Sequence, residues 1–348
     1  MAVEGALELL QRAPLDLRAR AGHALVIARH TSVVARHPAL AHRAALMAML
    51  NACRLGDAST AHAALDVTLE LEPRLADEPD RLGQVIDAQS WRAEVLLNDL
   101  DLPGAVAAAR RHIAMVETFG ACWALFRASS DDSFRATRVS RRAEMQLVRI
   151  ALLAGEGGQA AMLARLQAIP SEALSSREAT RLRGVQAQAM IAMAQAAGAC
   201  ALALPHIATS VWDAYWWVRG KADEAPEADW PAAEVEVISR QASGTKPGET
   251  FLIAAIQREL ALLALTHGRG AEAKKLARRA AVTGARLQPS CAALDLLRLT
   301  TAAVVAVADR GRLDMAKVLP EVATHIAHLK ERPCTLDLAR ELRRVSVV

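Results

Sequence analysis

Aromatic residues are scarce in this chain, at 3% of the whole, and β-branched runs are few. Pleated sheets draw on both, so their shortage argues against any substantial β-sheet. The five cysteines, Cys53, Cys122, Cys200, Cys291 and Cys334, stand far apart, odd in number and without a CxxC pair. A disulfide framework or cysteine zinc site is not expected, and a reducing, cytoplasmic compartment fits. A strong excess of one charge is missing too. The formal net charge of +4 is too mild to imply direct nucleic-acid binding. The N-terminus lacks the uninterrupted apolar core of a signal peptide. Gly184 to Trp212 carries no Asp, Glu, Lys or Arg, yet Gln186, Gln188, Gln195, Gly198, Pro205 and His206 interrupt it, and alanine rather than leucine fills it. A membrane span needs about 20 strongly apolar residues, so this stretch reads as a buried helical hairpin and no membrane partner is expected.

Chemical signatures are equally sparse. Gly155-Glu-Gly-Gly158 follows a helix and precedes no Lys-Ser/Thr pair, so it is no phosphate loop. There is no GxSxG elbow, no HExxH helix and no Cys/His pair at telling spacing. The paired Asp131-Asp132 fall in what reads as a wet loop, Ser129 to Ser133, ahead of a helix beginning near Phe134. No cofactor is implied and no catalytic residue is assigned.

What the chain does have is periodicity. Leu40, Ala44, Met47 and Asn51 recur at helical spacing and end at Gly56-Asp57, a left-handed C-terminal turn that suits glycine. Ala61, Ala64, Leu65, Thr68 and Leu69 follow as a buried-stripe pattern, with Asp66 and Glu70 off the stripe and Pro73 as the expected stop. Alanines on both helices allow close approach, and one such pair leaves an apolar face that a neighbour must cover. Leu55-Gly56-Asp57, Ala61, Ala64 and Pro73 together resemble the tetratricopeptide family, without its early tryptophan and tyrosine positions or its strict period. That resemblance implies an all-α fold of antiparallel helix hairpins stacked as a tetratricopeptide-like (TPR-like) right-handed α-solenoid. It also implies scaffold or regulatory-adaptor roles.

Further turns are expected near 101, 157, 198, 269 and 310, mostly at intervals of about 40–45 residues. Residues 1–219 read as one helical array, 220–250 as an acidic Pro/Gly-rich linker with a helix from Ala232 to Gln241, and 251–348 as a second array with a capping helix. In the first segment His23, His30 and His37 fall seven apart, as on one helix face. Glu321, His325 and His328 share one side of a later helix. Neither set has the company of ligands that a metal site needs, so no metal is assigned. Met190 and Met193 read as core filler.

Two features point to binding. Arg135, Arg138 and Arg142 recur on one helix face, with Glu144 the near acid; Lys274, Lys275, Arg278 and Arg279 form a similar outer face. Each is a solvated face or an anion-facing patch. The second feature is compositional. Of eleven aromatic residues, five crowd into Trp212, Tyr215, Trp216, Trp217 and Trp230. On a helix Trp212, Tyr215, Trp216 and Arg219 share a face and Trp217 points away. These rings are either a plug between two subarrays or a pocket for a ligand or partner, since large rigid rings carry binding energy well. The candidate binding residues are therefore Trp212, Tyr215, Trp216, Arg219, Trp230, Arg135, Arg138 and Arg142. The favoured function is a non-catalytic scaffold or adaptor that takes a protein or peptide, biased toward acidic partners, on a concave helical surface. A ligand-binding sensor of a bacterial regulatory system and an α-helical enzyme with an aromatic cleft are the alternatives.

Overall fold

Gly56 adopts φ 73°, ψ 23°, the left-handed conformation expected at a helix end, and its N–H closes on the carbonyls of Ala52 and Cys53. Asp57 then caps the next helix through Thr60 N–H at 3.0 Å. This local chemistry joins α4 (Pro38–Leu55) to α5 (Ala58–Leu75). The computed structural model describes residues 2–12, 16–75, 82–99, 101–126, 130–155, 157–169, 174–224, 230–244, 249–286 and 292–310. Among them the fold is all-α: sixteen α-helices, one 3-10 turn and no strand.

The chain divides into two compact units, Met1–Leu147 with Gln288–Ala293, and Val148–Leu287 with Leu294–Val348. In the first, α1 (Ala2–Arg12), α2 (Leu17–Arg29) and α3 (Thr31–Arg36) lead to the α4/α5 pair, followed by α6 (Leu82–Asn98) and α7 (Leu102–Phe126). α2 packs on α4, α4 on α5 and α6, and α6 on α7. The seam is made largely of alanine: Ala24 and Ala28 of α2, Ala41, Ala44, Ala45, Ala48 and Ala52 of α4, and Ala61 and Ala64 of α5 are all buried. Asn51, also buried, satisfies its side chain by donating to the Met47 carbonyl at 2.7 Å.

α8 (Ser130–Leu153) runs across the point where the units divide. The second unit contains α9 (Gln159–Gln167), α10 (Ser176–Ala192), α11 (Ala196–Ala203), α12 (Val211–Glu224), α13 (Ala232–Gln241), α14 (Thr250–Thr266), α15 (Gly270–Ala285) and most of α16 (Ala292–Arg310). Helices again pack on neighbours one and two places along: α10 on α11 and α12, α12 on α13 and α14, α14 on α15. Within the stretch read from the sequence as a linker, α13 supplies Ile238 and Val235 to the core of this unit. Every residue of α14 from Leu252 to Ala264 is buried. A helix apolar nearly all round has to be interior.

Several sequence expectations need correction. Pro73 does not stop α5, which runs on to Leu75. A proline near a helix C-terminus disrupts only contacts with the preceding turn, so two more residues can follow. Gly198 is not a turn but sits inside α11, where a Cβ would approach Met190 Sδ to 3.5 Å. The turn falls at Met193–Gln195, with Ala194 at φ 58°. α8 begins at Ser130, so Asp131 and Asp132 lie in its first turn rather than in a loop. Acids are favoured there by the helix dipole. His23, His30 and His37 do not share one helix face, because the backbone leaves helical geometry at His30 and at His37. Asp309 belongs to the last turn of α16, not to a loop. On α15, Ala273, Ala277, Ala280 and Gly284 are buried and Ala281 is exposed. Glu321, His325 and His328 lie outside the described residues.

Candidate functional site

The serine before α12 starts the site. Ser210 Oγ accepts a hydrogen bond from the Asp213 N–H at 3.2 Å, which anchors the first turn of α12. Asp213, only 1% exposed, is held by Arg183 of α10 through two hydrogen bonds. Arg183 Nε donates to Oδ1 at 3.0 Å and Nη2 to Oδ2 at 2.9 Å. This bidentate pair sets the rotation of α12 against α10. The rotation decides which aromatic rings enter the core.

Trp217 and Val218 go inward, with Ala214 and Val211. Trp217 is 2% exposed and meets Trp230 edge to face, with ring centroids 5.6 Å apart and planes at 89°. Ile238, Ile253, Ile256, Leu260 and Leu263 complete the surrounding core. Trp230 therefore belongs with Trp217 and not with the binding face it was grouped with on sequence. It follows a segment whose conformation no periodic pattern predicts, so nothing in the sequence showed which way its ring would turn.

Trp212, Tyr215, Trp216 and Arg219 follow another stripe of α12, each half-buried, with Trp212 and Tyr215 packed against the edge of the same core. Tyr215 and Trp216 stack edge to face at 5.1 Å and 69°. The indole of Trp216 leans on α10 at Gly184. A Cβ added there would lie 2.7 Å from Trp216 Nε1, so only glycine fits this close approach. The Nε1 atom is buried by the contact and has no hydrogen-bond partner.

Arg219 leads to residues the sequence reading did not single out. Its Nη1 lies 3.6 Å from Glu259 Oε1 of α14. Glu259 is fully buried, and its neighbour Arg258 donates Nη2 to the same Oε1 at 2.6 Å. Arg258 Nη1 donates to Thr300 Oγ1 of α16 at 2.5 Å. Beside them, Gln257 Nε2 donates to the Ala242 carbonyl at 2.7 Å, and Gln257 Oε1 accepts from Thr283 Oγ1 at 2.9 Å. A signal for these residues existed: Gln257-Arg258-Glu259 interrupts an otherwise apolar α14, and charges buried in such a helix need partners.

The arginine patches separate differently. Arg135 and Arg138 lie on α8, but their side chains fall outside the described residues. Arg142 is exposed, and its charge opposes the desolvation that raises the Asp87 carboxyl pKa. On α15, Lys274 Nζ contacts Asp309 Oδ1 at 2.8 Å and Arg278 the same oxygen at 3.3 Å. Lys275 and Arg279 stand exposed on the same helix.

A polar knot in the first unit also escaped the sequence reading. Gln146 of α8 donates Nε2 to the Ser90 carbonyl at 2.9 Å and to Glu94 Oε1 at 2.8 Å. Its Oε1 accepts from Ser90 Oγ at 3.1 Å and lies 3.2 Å from His112 Nδ1. The side-chain amide of Gln146 thus joins α6, α7 and α8, and burial lowers the His112 pKa against the effect of this contact. Among the described residues no group of three or more histidines, cysteines, aspartates or glutamates is placed to hold a metal ion. No helix among them is long and apolar enough to cross a membrane. Comparison with protein-family models, with curated proteins and with solved structures finds no match to this chain.

Proposed function

We propose that this chain is a non-catalytic interaction module, a tetratricopeptide-like right-handed α-solenoid that takes a protein or peptide segment on the α12 face. The observation that carries the reading is the sorting of five clustered aromatic residues. Trp217 and Trp230 are buried in the core, while Trp212, Tyr215 and Trp216 stay half-buried beside Arg219. A plug would need all its rings inside. Rings held by a glycine notch and an edge-to-face contact, yet part-exposed, are rigid and ready to bury more surface, which is what anchors a partner.

Two further observations support the repeat architecture. Within each unit the principal packing partners of a helix are those one and two places along the chain, as in stacked hairpins. The turns at Gly56 and Gly268 are both left-handed glycines. In this arrangement α10, α12 and α14 form one row, bridged by Arg183–Asp213 and Arg219–Glu259.

The test is a peptide-library selection on the unaltered full chain, followed by titration of the selected peptide. Trp216→Ala should weaken capture tenfold or more, about 1.4 kcal/mol, with helix content unchanged by circular dichroism. Arg240→Ala, at an exposed position of α13, should leave affinity where it was. Equal affinity for Trp216→Ala and the unaltered chain would remove the reading.

A further inference from the structure

The two sides of α15 differ sharply. Ala273, Ala277, Ala280 and Gly284 are buried, and Ala277 packs with Leu262 of α14 and with Ala303 and Val304 of α16. The opposite side is exposed and basic. Lys275, Arg279, Val282 and Arg286 follow one another at i, i+4, i+7 and i+11, all exposed. They make one stripe about 16 Å long at 1.5 Å per residue. No hydrogen bond or ion pair engages the three basic side chains. Glu272, the acid that α15 itself carries, is already paired with Arg269 at 3.0 Å.

The adjoining pair shows what this helix does with a carboxylate. Lys274 and Arg278 have the same two side chains at the same spacing, one position earlier. Both reach Asp309 Oδ1 of α16, at 2.8 Å and 3.3 Å. The Lys274 hydrogen bond, opposed by desolvation and helped by the Arg278 charge, holds the Asp309 carboxyl below its usual pKa. Lys275 and Arg279 repeat that pair without the acid. A single exposed pair contributes little, so a partner has to engage the stripe along its length.

The apolar member of the stripe narrows the class of partner. Val282 is 57% exposed and lies between Arg279 and Arg286. A matching surface places an apolar side chain between its anions. A nucleic-acid backbone presents phosphates and sugars and offers no such side chain. A membrane surface is met by helices with Trp, Phe or Leu on the apolar side, and this stripe has one valine. An acidic protein segment with interspersed leucines supplies both the charge and the apolar contact.

We propose that the exposed side of α15 docks an acidic protein segment, with Lys275, Arg279 and Arg286 taking its carboxylates and Val282 an apolar side chain between them. This surface belongs to a different helix from the α12 face and adds a second point of contact.

The experiment is calorimetric titration of the full chain with acetyl-(Glu-Glu-Leu)3-amide and with its neutral isostere acetyl-(Gln-Gln-Leu)3-amide. The glutamate peptide should bind at least tenfold tighter than the glutamine peptide, and the preference should shrink as salt is raised. Lys275→Gln combined with Arg279→Gln should weaken the glutamate peptide fivefold or more. Trp216→Ala should leave it unchanged, which separates this surface from the α12 face. The glutamate-to-glutamine ratio of the unaltered chain is a reading that does not depend on how the double variant folds. Equal binding of the two peptides, or binding of neither, would overturn the proposal. Unchanged affinity in the folded double variant would remove it from α15. Tighter binding of a twelve-base oligothymidylate, or of phosphatidylserine vesicles, than of the glutamate peptide would overturn the choice of a protein partner.

Discussion

The α4/α5 seam of the first unit and the α12–α14 core of the second hold helices together by opposite means. In the seam, small side chains bring backbones close: seven alanines of α4 and α5 lie in one buried cluster with two methionines and Leu65. In the α12–α14 core, Trp217, Trp230, Ile238, Ile256 and Leu260 fill a wider gap. The seam depends on nothing being larger than a methyl group at many positions. The aromatic core depends on a few large side chains, each of which buries on the order of 150–250 Å² where it is aromatic. Fragility therefore differs in kind: one region fails by insertion, the other by deletion.

The largest expected effect deletes from the aromatic core. Trp217→Ala should cost about 3–5 kcal/mol, the range for a buried aromatic replaced by alanine, measured by urea unfolding. A loss below about 1 kcal/mol would mean that Trp217 is not the centre of this core. Acid should then strike the seam side. His42 of α4 is fully buried with neither ring nitrogen hydrogen-bonded, and burial lowers its pKa to about 4. The unfolded chain, with its ordinary histidine pKa of 6.5, takes up the proton first as pH falls. Stability is thus full above pH 6.5, declines on the way to pH 4, and loses no more below that, for a total of about 3 kcal/mol. His42→Leu should flatten that part of the pH–stability curve; an unchanged slope would dismiss His42 as its source.

Insertion into the seam comes next. Ala48→Leu should cost about 1–3 kcal/mol by overpacking, even though leucine is the more hydrophobic residue. The smallest effect sharpens a turn. Ala194 holds a left-handed φ of 58°, so Ala194→Gly should raise stability by up to about 1 kcal/mol, read as a small rise in Tm.

The seam was legible in the sequence because its pattern is local. Ala61, Ala64, Leu65 and Thr68 repeat at helical spacing and are buried together, and a glycine ends α4 where a left-handed residue was needed. The face of α12 was legible for the same reason: Trp212, Tyr215, Trp216 and Arg219 follow from 3.6 residues per turn. Gly198 misled because glycine serves two needs, turns and close packing, and sequence alone does not separate them. Trp230, Glu259 and Thr300 depend on contacts between distant segments. Their roles followed from tertiary packing that no single window contains. The arrangement of aspartate and arginine between α10 and α12 was hidden likewise, with Arg183 and Asp213 thirty positions apart.

The most direct test of the central claim uses the six tryptophans as reporters. With 5-fluorotryptophan incorporated and each fluorine resonance assigned by substitution, the full chain is titrated with the peptide selected from the library on the unaltered chain. Resonances of Trp212 and Trp216 should move with a saturable curve while those of Trp217 and Trp230 stay in place. Saturable shifts confined to Trp217 and Trp230, or no shift at Trp212 and Trp216, would contradict the assignment of the α12 face as the surface that receives a partner.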